Sequence, residues 1–256
     1  MQIVVGSIAS AIIIILMALL FLGRFGGRGP FSYLRTKSIN DLPGNAERYS
    51  PENAEKLADS PLAGKSVFFL GSSVTYGASS KGVSFVEYMA KRDGLFYSKE
   101  AVGGTTLTNN GPDSYFSRLK EANKEENYDL FVCQLSTNDA SKGMPLGEVF
   151  DTDTSTVCGA INVITDYARE TWHCPVVFFT NARFDSEPYA KTVEKLHEIA
   201  KNKDIFVIDL FNDESFNDIP KTDRSLYMAD TVHPTQAGYL LWWTPEMERQ
   251  LYRLFR

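Results

Sequence analysis

From residue 66 to residue 210, short apolar runs alternate with longer stretches of helical periodicity. The runs are Ser66–Leu70, Phe96–Ala101, Leu130–Leu135, Pro175–Phe179 and Ile205–Leu210. Each is brief, rich in β-branched or aromatic residues, and bounded by turn formers, which is how strands buried on both faces read. Helical spacing fills the intervals at Phe85–Arg92, Asp113–Asn123, Thr156–Thr171 and Ala190–Lys201, and resumes from Thr235. Thr244-Pro245-Glu246 reads as a break and a fresh N-cap before a last helical piece, Met247–Phe255. Five strands alternating with helices predict a parallel sheet covered on both faces. Tyr239-Leu240-Leu241-Trp242-Trp243, in the last helix, is expected to pack in the core.

The N-terminus follows a different pattern. Ile3–Leu22 carries no charge and is apolar without interruption from Ala11. About 20 such residues match the thickness of a bilayer core, so a transmembrane helix is expected over residues 3–22. The alternative is a secretory signal peptide. No Lys or Arg precedes the run and no Ala-x-Ala site follows it, which favours an uncleaved anchor. Arg24, Arg28, Arg35 and Lys37 all lie after the run, and this bias favours the cytoplasmic side for the rest of the chain, with the outer side of the membrane as the open alternative. Residues 1–23 then form the anchor, 24–63 a linker with a short helix capped at Ser50-Pro51, and 64–256 the folded domain. On this division a chain starting near Pro51 keeps everything the sheet needs.

The 256 residues are long enough for one full α/β core, and the net charge is −6. With no basic stripe, nucleic acid is not an expected partner. Cys133, Cys158 and Cys174 fall in apolar strand or helix surroundings and read as reduced packing residues. Neither they nor the acidic loop residues Asp213, Glu214 and Asp218 have a metal-site spacing, so no metal and no cofactor is expected.

Several of the strand ends carry chemistry. Gly71-Ser72-Ser73-Val74-Thr75-Tyr76-Gly77 follows the first strand, and glycines there allow a tight strand-to-helix turn with an exposed hydroxyl near backbone N–H groups. Glu100-Ala101-Val102-Gly103-Gly104 ends the second strand, and Ser136-Thr137-Asn138-Asp139 ends the third. Near the C-terminus stands Asp230-Thr231-Val232-His233-Pro234, with a carboxylate three residues before a histidine. A serine hydroxyl needs a base to act as a nucleophile, and the chain has three histidines. His173 sits at a helix end and reads as structural; His197 lies in a helical stretch and reads as a surface residue. His233 has the acid nearby.

These four segments, in this order, resemble the blocks of the SGNH, or GDSL-like, hydrolase family. The resemblance covers about residues 64–256 and departs at Ser72, where the family usually has Asp, and at Ser136, where it usually has Gly. It implies a three-layer α/β/α fold with strand order 2-1-3-4-5. It also implies Ser73 as nucleophile, His233 as general base and Asp230 as the group orienting the imidazole. The N–H groups of Ser73 and Gly104 and the side-chain amide of Asn138 would be the oxyanion donors. Ser72 is expected to cap the following segment as Asp would. The activity implied is hydrolysis of a carboxylic ester, in an acetylated carbohydrate, a lipid or a small ester, through an acyl-enzyme on Ser73. An acyltransferase or a non-catalytic binding domain on the same fold is the alternative. Arg183, just past the fourth strand, is a candidate substrate contact, against a surface pairing with Asp185 or Glu187.

Overall fold

The computed structural model describes the backbone of residues 2–26 and 29–255, and the side chains of residues 10–24 and 29–255. Strands β1 (Ser66–Gly71), β2 (Phe96–Ala101), β3 (Leu130–Gln134), β4 (Val176–Phe179) and β5 (Phe206–Ile208) form one sheet. The order is β2-β1-β3-β4-β5 and every pairing is parallel. The helices, in chain order, are α1 (Gln2–Gly26), α2 (Tyr33–Asn40), α3 (Ser73–Tyr76), α4 (Phe85–Asp93), α5 (Tyr115–Glu121), α6 (Thr137–Ser141), α7 (Val157–Trp172) and α8 (Glu187–Lys203). After β5 come α9 (Glu214–Asn217), α10 (Lys221–Tyr227), α11 (Gln236–Gly238) and α12 (Thr244–Leu251).

Period-two alternation sorts the strand residues into two cores, one on each face of the sheet. Phe68, Leu70, Phe131, Cys133, Val176 and Phe178 pack against α5, α7 and α8. Val67, Phe69, Leu130, Val132, Val177 and Phe179 pack against α4 and the C-terminal helices. Each such side chain contributes roughly 1.5–3 kcal/mol by leaving water. That is why β1, β3 and β4 read as unbroken apolar runs. The edge strand β2 is more open, with Phe96 and Tyr97 exposed. The C-terminal aromatics are core residues: Tyr239 and Trp243 are buried, while Leu241 faces out.

Three expectations need correction. No break occurs at Thr244-Pro245, because Tyr239–Trp243 forms a π-helical turn that runs straight into α12. Proline crowds the carbonyl four residues back, and the wider turn in front of Pro245 makes room for it. Ser50 does not cap a helix by its side chain; Pro51–Asn53 is a single 3₁₀ turn. The boundary at residue 63/64 is also misplaced. Ala54 and Leu62 lie in the α4-side core, Leu57 N–H donates to Arg92 O at 2.8 Å, and Tyr88 Oη donates to Tyr49 O at 2.5 Å. The segment from Pro43 onward is therefore part of the folded unit, although its composition reads as linker.

At the N-terminus α1 is helical as expected. Among the described residues, however, no helix is long and apolar enough to cross a membrane. The side chains of residues 3–9, part of the expected span, lie outside the described residues.

Candidate active site

Parallel pairing brings all five strand C-termini to one edge of the sheet, where ligands bind in open α/β folds. The Ser73 turn is the sharpest feature there. Ser73 opens α3, so its N–H has no partner within the helix. Gly77 ends that helix at φ 85°, and a Cβ there would lie 2.1 Å from Val83 O. Only glycine fits both the left-handed backbone and the close approach. The carbonyl of Ser73 accepts from Gly77 N–H at 3.0 Å and Ala78 N–H at 2.9 Å, which locks the turn.

A further residue pins this turn, and the sequence reading missed it. Gln134, the last residue of β3, is fully buried. Its Oε1 accepts from Ser72 N–H at 3.0 Å, Thr75 N–H at 3.1 Å and Thr75 Oγ1 at 2.8 Å. Loss of such buried partners costs about 1–3 kcal/mol. The available signal was a lone polar residue inside an otherwise apolar strand. Ser72 makes no side-chain capping bond, contrary to expectation; Gln134 holds its N–H instead.

His233 sits in a loop closed by a bridge between Met228 and Pro234, and Ala229 N–H donates to His233 O at 2.9 Å. This closure delivers the imidazole to Ser73. His233 Nε2 is 2.8 Å from Ser73 Oγ, and Nδ1 is 2.8 Å from Asp230 Oδ2. With Nδ1 carrying the proton toward Asp230, Nε2 is the acceptor for the Ser73 hydroxyl. Asp230 Oδ1 also accepts from the N–H groups of Val232 and His233, both at 2.8 Å. Burial pushes the Asp230 carboxyl up, but the hydrogen bond and charge of His233 and these backbone donors outweigh it, holding it at about 2. Asp230 is thus a carboxylate across the physiological range, placed to fix the ring and stabilise a positive imidazolium.

The oxyanion candidates converge from two other strand ends. A Cβ on Gly103 would lie 3.8 Å from Ser73 Cβ, so this turn faces Ser73. Gly104 adopts φ 79°, and Lys142 Nζ donates to its carbonyl at 2.6 Å. Asn138 Nδ2 donates to Thr105 O at 2.8 Å, which ties the amide beside Gly104 and leaves it one further N–H. Ser136 caps α6 by accepting from Asn138 N–H at 3.1 Å, so the departure from Gly serves the turn rather than crowding it. Asp139, buried, accepts from Leu107 N–H at 2.7 Å and Thr108 N–H at 3.0 Å. It staples the loop after β2 to α6 and was not singled out from the sequence.

Other sequence candidates have hydrogen-bond partners or backbone roles of their own. Arg183 Nε donates to Phe211 O at 3.0 Å and Nη2 to Asn212 O at 3.3 Å, so the guanidinium is seated on the β5–α9 loop. Neither Asp185 nor Glu187 supplies its partner in those bonds. His173 terminates α7 with φ 53°, a structural place. His197 is not simply a surface residue: its Nε2 lies 2.6 Å from Asp209 Oδ2.

Comparison with known proteins bears on the family and the fold. The model of the GDSL-like Lipase/Acylhydrolase family matches residues 69–241. A protein from Lactobacillus plantarum shares the fold at 18% identity and TM-score 0.62, covering 75% of this chain and 96% of its own. A G-D-S-L family protein from Desulfitobacterium hafniense does so at 18% identity and TM-score 0.57, covering 72% of this chain and 98% of its own. A carbohydrate esterase, whose active site displays divergent catalytic and non-catalytic binding functions, matches at 15% identity and TM-score 0.52, covering 77% and 66%. No curated protein matches the chain. The family match spans the Ser73 turn, the Gly103–Gly104 and Asn138 loops and the His233 loop alike, and the chain belongs to the GDSL-like lipase/acylhydrolase family.

Proposed function

We propose that this ester hydrolase acts as a serine esterase through an acyl-enzyme on Ser73. The observation that carries the reading is the unbroken hydrogen-bonded chain from Ser73 Oγ through His233 to Asp230. In the first half-reaction Ser73 Oγ attacks the ester carbonyl carbon while its proton passes to His233 Nε2. The carbonyl oxygen becomes an oxyanion facing the N–H groups of Ser73 and Gly104 and the free N–H of Asn138. The C–O bond to the alcohol then breaks and the imidazolium proton goes to the leaving oxygen. Water repeats the sequence in reverse roles, releasing the acid and restoring Ser73.

Among the ester classes, a polar alcohol is favoured. A pocket of about 390 Å³ beside the oxyanion turn is lined by Gly103, Gly104, Thr105, Asn110, Asp113 and Lys142. Hydrogen-bonding groups of this density suit a hydroxyl-rich partner such as an acetylated carbohydrate better than an acyl chain. The test is hydrolysis of chromogenic esters of increasing acyl length and of an acetylated sugar, with fluorophosphonate labelling of Ser73. Labelling and turnover best with acetate on the sugar are expected. Absence of both overturns the esterase reading in favour of a binding domain, and transfer of the acetyl group to an added sugar identifies an acyltransferase.

Membrane attachment through α1 belongs to the same proposal. Ile12, Ile13, Ile14, Ile15, Phe21 and Leu22 all stand at least half exposed, in a helix with no charge before Arg24. Such side chains are satisfied in an apolar surrounding. The bias of Arg24, Arg28, Arg35 and Lys37 toward the C-terminal side of the apolar run supports a cytoplasmic catalytic domain, with the outer side as the alternative. The full chain is expected to sediment with membranes and to stay there in high salt; recovery in the soluble fraction rules the attachment out.

A further inference from the structure

The segment between α2 and β1 was expected to be a dispensable linker, yet it inserts a fully buried polar side chain between the two halves of the triad. Asn45 is 0% exposed. Its Nδ2 donates to Ser79 O at 2.8 Å and to Ile39 O at 2.8 Å, and its Oδ1 accepts from Gln236 N–H at 2.9 Å. Two carbonyls and one N–H fix the orientation of the amide, and every hydrogen-bonding atom of the side chain is used. The backbone of Asn45 is held as well, with its N–H on Leu42 O at 2.8 Å and its carbonyl on Lys81 Nζ at 2.7 Å.

What Asn45 touches matters more than how well it is satisfied. Ser79 lies in the loop that leaves the nucleophile turn, directly after Gly77 and Ala78, whose N–H groups bind the Ser73 carbonyl. Gln236 opens α11, three residues past His233. The side chain therefore joins the loop carrying the nucleophile to the loop carrying the base, which are otherwise distant along the chain. Gly44 presses the same segment home. A Cβ there would lie 2.2 Å from Leu226 O and 2.3 Å from Thr235 Oγ1, the hydroxyl that caps α11. Only a glycine lets the backbone come so close to the base of the His233 loop.

We propose that Asn45 is a positioning residue for the triad, holding the Ser73 and His233 loops at the separation their hydrogen bond requires. The inference rests on the serine-esterase reading of that pair. Asn45→Ala should lower kcat on a small acetate ester by roughly 10- to 100-fold, as a misplacement of about 1 Å between reacting groups does. KM should change by less than about threefold, because Asn45 touches no substrate-facing group. Asn45→Asp would set a buried carboxylate against the Ser79 and Ile39 carbonyls and should be at least as damaging as Asn45→Ala. Asn45→Ser keeps a small hydroxyl in the same space, should fall between the wild type and Asn45→Ala, and decides the matter if the alanine variant does not fold. In the folded variants the Nδ1–H proton resonance of His233 should shift or broaden, a readout that needs no turnover. A merely structural asparagine would lower the melting temperature and leave kcat and this resonance unchanged in a folded variant, and that result overturns the proposal. Failure of the esterase reading looks different: the wild-type chain itself would neither turn over esters nor accept fluorophosphonate on Ser73.

Discussion

Ser73→Ala abolishes ester hydrolysis while the protein stays folded: kcat/KM is expected to fall by roughly 10⁴-fold or more, the loss that follows when the nucleophile of a cooperating triad is removed. The size follows from the geometry. Among the described residues Ser73 Oγ is the only hydroxyl placed at His233 Nε2, 2.8 Å away, so no neighbouring group inherits its role. Ser72, the adjacent serine, is fully buried and cannot present its oxygen to substrate. The fold has little reason to respond. The turn is held by the Ser73 carbonyl and by Gln134, and neither contact involves the Ser73 hydroxyl. One part-buried hydrogen bond is lost, worth about 1 kcal/mol. The check is steady-state hydrolysis of an acetate ester alongside thermal unfolding of both proteins. Activity within tenfold of wild type in a folded Ser73→Ala protein removes Ser73 from the mechanism.

The sheet was legible in the sequence because its central strands are buried on both faces. Val67–Leu70, Leu130–Cys133 and Val176–Phe179 serve the two cores alternately, so neither face needs a polar residue and the runs stand out. The proposed Ser73–His233–Asp230 triad, whose side chains the structure brings into hydrogen-bond reach, could be read for a different reason. Its members occupy strand ends and turns whose residue types are constrained by chemistry, and Asp230 and His233 are neighbours in the chain. What escaped notice is long-range. Gln134 acts on a turn about sixty residues away, and Asn45 on a helix start 191 residues away, through bonds between a side chain and main-chain groups that leave no periodic trace. The π-helical turn at Tyr239–Trp243 escaped because Pro245 is a local signal for a break, whereas the wide turn in front of it, with Tyr239 and Trp243 packed on Phe85, lets the helix run through. Composition likewise made residues 43–63 look like linker, although Leu62 is wholly buried.

The two histidines that own carboxylate partners make the second decisive comparison. His233 pairs with Asp230 at 2.8 Å and His197 with Asp209 at 2.6 Å, so a His–Asp contact by itself does not mark the base. Burial pushes the Asp209 carboxyl up, and His197 with the two bonds from Asn212 brings it down to about 2, the same value as Asp230. The difference lies on the far side of each ring. His233 presents Nε2 to Ser73, whereas His197 spends Nε2 on Asp209, and that carboxylate goes on to bind Thr180 Oγ1 at 3.1 Å and Asn212 N–H at 3.1 Å. The His197–Asp209 pair is a brace between α8 and the end of β5. His233→Ala is therefore expected to cost roughly 10⁴-fold or more in kcat, comparable with loss of the serine. His197→Ala should leave kcat and KM within about twofold, because no reacting group touches it. Its cost appears in stability instead, and it is below about 1 kcal/mol because the imidazole is 42% exposed and water screens the pair. Since the Asp209 carboxyl is depressed, the stability its partners confer is present above the ordinary carboxylate range and lost as pH falls toward 2. The His197→Ala protein should accordingly differ from wild type in melting temperature where the Asp209 carboxyl is ionised and converge with it in strong acid. Equal losses of kcat in the two variants would show that the Ser73–His233–Asp230 assignment is wrong.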